Sequence, residues 1–202
     1  MTENMETLPT QPKETLQYSF NFEFNENEID YWFNVYEEAF RELNEDSPER
    51  QTMSHEEFNF AMHDNDISKL AVWNGVGELE GITIFGPPSK SEVFSWLSQP
   101  YFKKHFPEAY KEGRLQYFVT TLTRPDSRNS GVMASMGQLT TDRLVEMNPE
   151  TIVVFDCCAS NEFLPIALHG LASQTAENVG GNISPLVEIG RQNFYAFSIG
   201  KD

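Results

Sequence analysis

Residues 115–155 read LQYFVTTLTRPDSRNSGVMASMGQLTTDRLVEMNPETIVVF. Leu115 to Leu122 has the apolar and β-branched make-up of a strand. Thr151 to Phe155 is almost purely β-branched or aromatic, which predicts a central strand buried on both faces. Between them, Val132 to Glu146 reads as a helix with Met136, Leu139 and Leu144 inside it. Strand, helix and strand make a βαβ crossover, so the two strands are expected to be parallel neighbours or near-neighbours with the helix over one face. The loop entering the helix runs from Thr123 to Ala134. The backbone N–H groups of Asn129 to Met133 fall at the helix N-terminus, where unpaired donors and the helix dipole favour a phosphate. Gly131 permits close approach, and Arg128 adds a forked, permanently charged donor.

Upstream, Tyr18, Phe20, Phe22 and Phe24 alternate with polar residues and predict a first strand. Ile29, Trp32, Phe33, Tyr36, Ala39, Phe40 and Leu43 then fall on one helical face. Ser54 and Glu57 form a capping box before Phe58, Ala61 and Met62, the stripe of a second, shorter helix. Lys69 to Trp73 and Leu79 to Phe85 flank Asn74-Gly75-Val76-Gly77 and predict a hairpin. The segment 89–113 carries Phe94, Trp96, Leu97, Tyr101, Phe102, Phe106 and Tyr110, and is expected to be one or two short helices forming an aromatic-rich flap. Downstream, Glu162 to Thr175 reads as a helix ended by Gly180-Gly181, and Ser184 to Ile189 is expected to pair with Phe194 to Ile199. The fold class is therefore α/β (α+β): a mixed, mostly antiparallel central sheet of about seven strands flanked by helices.

The chain has 202 residues, enough for one domain with a sizeable core. Residues 1–15 are polar and carry Pro9 and Pro12, so a disordered tail is expected there, with a single domain over 16–202. Apolar residues make up 39% and aromatics 13%, which excludes global disorder. The formal charge of −17 excludes a general binder of the nucleic-acid backbone. No apolar run approaches a membrane span, and the start has neither a basic n-region nor an apolar h-region. The two cysteines, Cys157 and Cys158, are neighbours and cannot build a long-range disulfide framework. A cytoplasmic location fits these features.

The element order, with Pro125, Arg128 and Gly131 in the spacing P-x-x-R-x-x-G between a strand and a helix, resembles the acyl-CoA-binding motif of the GNAT superfamily of N-acyltransferases. The likeness extends over most of the chain from about Leu16 to Ile199. It implies acetyl-CoA as co-substrate, with the loop amides on the pyrophosphate and the pantetheine arm in a wedge between the strands on either side of the crossover. By this resemblance Thr121, Leu122 and Thr123 line the arm, Arg128, Asn129, Ser130, Gly131, Val132, Met133 and Ala134 hold the phosphates, and Asn161 matches an Asn of the family's next motif. Met133 stands where the family usually has Gly or Ala, and Leu168, beside His169, where it often has a Tyr acid.

The implied reaction is direct attack of an amine on a thioester, which needs a deprotonated amine and a polarised carbonyl but no enzyme nucleophile. Glu80 is a candidate base or water-ordering group, with a solvated strand residue as its blander reading, and His169 is the titratable group nearest the missing Tyr. Cys157 or Cys158 could act with His169 as a nucleophile, against the plainer reading of two small buried side chains. His55, His63, His105 and His169 have no metal-ligand spacing, so no metal is expected. Arg124 and Asp126 read as solvent-facing turn residues, with the nucleotide's phosphates within reach as the alternative for Arg124, and Trp32 and Trp73 read as core. Trp96, on the flap, could line an acceptor pocket or cover a partner interface. The partner expected is an amine-bearing small molecule or peptide, with no nucleic acid and no membrane, and a homodimer among the open oligomeric states. The alternative is a catalytically silent protein of the same fold, acting as a binding or regulatory protein through its acidic surface.

Overall fold

The computed structural model describes residues 16–46, 52–127, 131–148, 150–157, 163–178 and 183–189. The segment 1–15, Arg128, Asn129 and Ser130, Cys158, Asn161 and the expected strand Phe194 to Ile199 lie outside these residues.

Five strands form one sheet: β1 (Gln17–Phe20), β2 (Ser68–Trp73), β3 (Leu79–Gly86), β4 (Leu115–Thr123) and β5 (Ile152–Val154), in that spatial order. The first three pairings are antiparallel and β4–β5 is parallel, so the sheet is mixed and mostly antiparallel. Among the described residues it has five strands rather than about seven. Residues 183–189, expected as one arm of a terminal hairpin, are exposed and form no ladder. Pro185 removes a donor there, and adjacent Leu186 and Val187 break the alternation that would give the segment a buried side.

Two further expectations are corrected. The strand after the crossover is three residues long and is not buried on both faces, since Val153 is 43% exposed. A β-branched run signals a strand without saying how many neighbours cover it. The first strand ends at Phe20, where Asn21 takes φ 55°, a left-handed conformation that Asn tolerates. Phe22 and Phe24 continue as core residues, with Phe22 edge-on to Trp73 at 5.0 Å.

Helix α1 (Glu26–Asp46) starts with a reciprocal cap: Asn25 Oδ1 accepts the Glu28 N–H at 3.1 Å, and Glu28 Oε2 accepts the Asn25 N–H at 2.9 Å. Its buried stripe is Ile29, Trp32 and Tyr36. Helix α2 (His55–His63) has the expected capping box between Ser54 and Glu57 and buries Phe58, Ala61 and Met62. The aromatic segment holds α3 (Gln99–His105) and α4 (Pro107–Lys111). Phe94 and Phe102 from this segment join Ile29, Trp32, Phe58, Ile82, Ile84 and Tyr117 in one core on the α1 face of the sheet. The opposite face carries α5 (Val132–Met147), whose Val132 and Met136 pack on Leu70 and Val72. Helix α6 (Phe163–Asn178) packs on α5. The sheet is thus the middle layer of three, and the crossover helix covers one face as expected.

Candidate functional site

The geometry that matters lies between β4 and β5. Only three rungs join them, Leu115 with Ile152, Gln116 with Val153 and Tyr117 with Val154. β4 then continues to Thr123 while β5 stops. Past Tyr117, no described strand pairs with β4 on that side. On its other side, the β3–β4 register shifts between the pairs Ile84–Thr120 and Phe85–Phe118, leaving Val119 as the extra residue of a bulge. A bulge bends its strand and re-aims nearby groups. Here it falls two residues beyond the last rung with β5, so the two parallel strands form a fork open at their C-terminal ends.

At the open end a 3-10 turn (Pro125–Ser127) leads towards Gly131, the N-cap of α5. Gly131 has φ 87°, the left-handed region that favours glycine, makes no side-chain cap, and would present a Cβ to open space. Val132 is buried in the core beneath α5, whereas Met133 is 49% exposed and Ala134 is also exposed. The Met133 side chain therefore points away from the core. Thr121 shares a hydrogen bond with Thr83, Oγ1 to Oγ1 at 3.0 Å, Leu122 is buried on the α1 face, and Thr123 is half-buried. The edge of β4 beyond its last rung with β5 and the N-terminus of α5 are the two features that an extended arm ending in a diphosphate would use.

Glu80 lies beneath this turn. Its carboxylate accepts the Ser127 hydroxyl through Oε2 and an Asn74 side-chain N–H through Oε1 at 2.7 Å, and its carbonyl accepts the Arg124 N–H at 2.9 Å. Glu80 is buried, so it ties the β2–β3 turn to the run into the crossover helix. Arg124, a turn residue as expected, extends Nη1 to 3.7 Å from Glu78. These two line a cleft of about 530 Å³ with Asn25, Glu28 and Tyr31, at the start of α1. His169 donates from Nε2 to the Ser184 carbonyl at 2.9 Å. Cys157 is exposed, not the small buried side chain expected. His55 pairs with Asp30 at 2.9 Å, and His105 stacks on Tyr101. Among the described residues no cluster of His, Cys, Asp or Glu could hold a metal ion, and no helix is long and apolar enough to cross a membrane.

Sequence reasoning missed one group at the fork. Tyr117, on the last rung of the β4–β5 ladder, donates its hydroxyl to Asp156 Oδ1, and Trp96 Nε1 donates to the Tyr117 oxygen at 3.3 Å. Burial, and then the adjacent Asp156 charge, push the Tyr117 hydroxyl well above the ordinary tyrosine range, so it stays protonated and acts as a donor. Trp96, half-buried, meets Tyr117 edge-on at 6.3 Å, and Phe94 meets it at 5.4 Å. Trp96 thus reaches the fork from the aromatic segment. The only sequence signal was an Asp directly after a β-branched run, which does not name a partner on another strand.

The class of fold is a three-layer mixed α/β sheet with a βαβ crossover beside its fork. No family model matches the chain, and no curated protein matches it. Among solved structures it is similar to an aminoglycoside acetyltransferase from an uncultured soil metagenomic sample, at 11% identity over 90% of this chain and 95% of that one, TM-score 0.47. It is also similar to an aminoglycoside antibiotic 6'-N-acetyltransferase from Acinetobacter baumannii, at 11% identity over 92% and 100% of the two chains, TM-score 0.47. A third is the ribosomal-protein-S18-alanine N-acetyltransferase from Escherichia coli, at 10% identity over 77% and 75%, TM-score 0.46.

Proposed function

We propose that this protein is an acyl-CoA-dependent N-acyltransferase that carries acetyl from acetyl-CoA to a primary amine by direct attack. The observation that supports this reading is the fork: two parallel strands joined by three rungs, with β4 running on past the end of β5 towards the glycine-capped N-terminus of the crossover helix. In this reading the backbone of Thr121, Leu122 and Thr123 lines the pantetheine arm. The amides from Gly131 to Ala134, with Arg128, Asn129 and Ser130, hold the diphosphate, and Asn161 is a further coenzyme-binding residue. The neutral amine nitrogen attacks the thioester carbonyl carbon; the C–N bond forms, the C–S bond breaks, the nitrogen gives up one proton, and the departing thiolate takes up one in its place. The chain's part is to hold the two reactants at attack distance and to polarise the carbonyl with a backbone donor. A net charge of −17 suits a cationic acceptor, a small molecule or a peptide, and the two neighbouring cysteines suit a reducing cytoplasm.

Thermal unfolding with and without acetyl-CoA tests the reading. Coenzyme at a hundred times its dissociation constant stabilises by about 2.7 kcal/mol, and the absence of any shift at millimolar acetyl-CoA would sink the proposal. Arg128→Ala is expected to weaken coenzyme binding by about 1–3 kcal/mol, the range for a lost charge-assisted hydrogen bond. A second reading, a catalytically silent binding or regulatory protein, draws support from the engagement of both Glu80 oxygens and of His169 Nε2 with the protein's own groups. It takes the lead if coenzyme produces no shift.

A further inference from the structure

We infer that Asp156, held by the Tyr117 hydroxyl, is the group that binds the ammonium of the acceptor at the fork. The inference rests on the acyltransferase reading. Tyr117 marks the rung where β4 and β5 part, and Asp156 follows two residues after its partner Val154. From Thr123 at the mouth of the fork to Tyr117 at its base is six residues of strand, about 20 Å at the rise of a β-strand. An arm anchored by its diphosphate at the α5 tip and laid along β4 carries its reactive end down to this base.

The chemistry waiting there suits a cation. Asp156 is exposed, and only its Oδ1 is engaged by the Tyr117 hydroxyl. Its Oδ2 has no hydrogen bond among the described residues. Tyr117 is itself fixed by packing in the core and by the Trp96 N–H, so one carboxylate oxygen of the exposed Asp156 is oriented by a buried donor. The half-buried Trp96 meets the Tyr117 ring edge-on at 6.3 Å and donates its N–H to the Tyr117 oxygen, so it fixes the donor that holds the carboxylate. A carboxylate oriented in this way recognises an ammonium by charge-assisted hydrogen bonding. Asp156 is thus the acceptor-binding residue, Tyr117 its positioning residue, and the substrate class a primary amine that is charged on arrival.

Two CoA thioethers test this by isothermal titration calorimetry. Both carry an S-carboxamidomethyl linker, one ending in a 2-aminoethyl group and the other in a neutral propyl group of equal length. The expected result is that the ammonium probe binds the wild-type protein about ten-fold or more tighter than the neutral probe. Asp156→Asn should abolish that preference while leaving the affinities for CoA and for the neutral probe unchanged. Tyr117→Phe should reduce the preference, a change that a purely structural role of the tyrosine would not produce. Equal binding of the two probes by the wild type, or a preference retained by Asp156→Asn, overturns the assignment while the coenzyme reading stands. Failure of the wild type to bind CoA or either probe overturns the coenzyme reading, and the assignment with it.

Discussion

The Glu80 carboxylate in β3 accepts the hydroxyl of Ser127, 47 residues further along the chain, and so ties the sheet to the turn that leads into the crossover helix. The carboxylate also accepts from Asn74, so truncating it removes two hydrogen bonds to a charged acceptor at once. Glu80→Ala is expected to lower the unfolding free energy by about 1–3 kcal/mol, the range for hydrogen bonds to a charged group. It should also weaken coenzyme binding, because the turn loses its anchor. Urea unfolding and calorimetric titration with CoA measure the two effects. A variant as stable as the wild type would show that the hydrogen bonds add nothing.

Gly131 is the hinge of the same loop. Its φ of 87° is costly for a side-chain-bearing residue, while the space around it is open. Gly131→Ala should therefore cost about 1–2 kcal/mol through backbone strain alone. If the helix tip holds a diphosphate, CoA affinity should fall with it. Chemical denaturation of the two proteins side by side reads the first effect, and titration with CoA the second.

Gly81 is constrained by space instead. A Cβ there would come within 2.6 Å of Met136 Sδ and 2.8 Å of the Leu122 carbonyl oxygen. The thioether can swing aside, but the β4 backbone cannot. Gly81→Ala should destabilise by about 1–3 kcal/mol, the usual cost of overpacking. Adding Met136→Ala should leave most of that loss in place, since the carbonyl contact persists. Full rescue in the double variant would show that the methionine alone sets the limit.

The charged cluster after α2 sets a pH response. Burial works to raise the Asp64 carboxyl, but hydrogen bonds from Lys90 and from the Asp66 N–H, with the charges of Lys90 and Lys69, outweigh it and hold the carboxyl below its usual 3.8. A carboxyl lowered on folding adds stability that is fully present above its unfolded value and is lost as the pH falls through the folded one. Stability should thus decline on acidification below about pH 4, and Asp64→Asn should flatten that decline. At the alkaline end, hydrogen bonds to Asp66 and Asp64 raise Lys90, so its contribution is present below 10.5 and fades as the pH rises through the raised value. Lys69, lowered by burial against the attraction of Asp64, has the opposite sign: stability is gained as the pH rises from its folded value towards 10.5. Urea titrations across both ranges would separate the three groups.

Much of this was written locally. The capping box at Ser54 and Glu57, the hairpin around Asn74 to Gly77, the stripe of Ile29, Trp32 and Tyr36, and the βαβ order from Leu115 to Val154 each arise within a few turns or rungs of chain. Burial and capping leave a periodic trace in such segments, and that trace is what a sequence carries. The aromatic segment was legible as short helices, but not that Phe94 and Phe102 belong to the main core. The number of strands, the exposure of Val153 and the unladdered stretch 183–189 depend on which surfaces meet, and a β-branched run is silent on that. The same holds for the two contacts on which the site reading turns. Glu80 with Ser127 and Tyr117 with Asp156 join residues 47 and 39 positions apart. Only the folded sheet, by placing β3 beside β4 and β4 beside β5, brings those side chains together, because no local spacing rule couples groups so far apart on the chain.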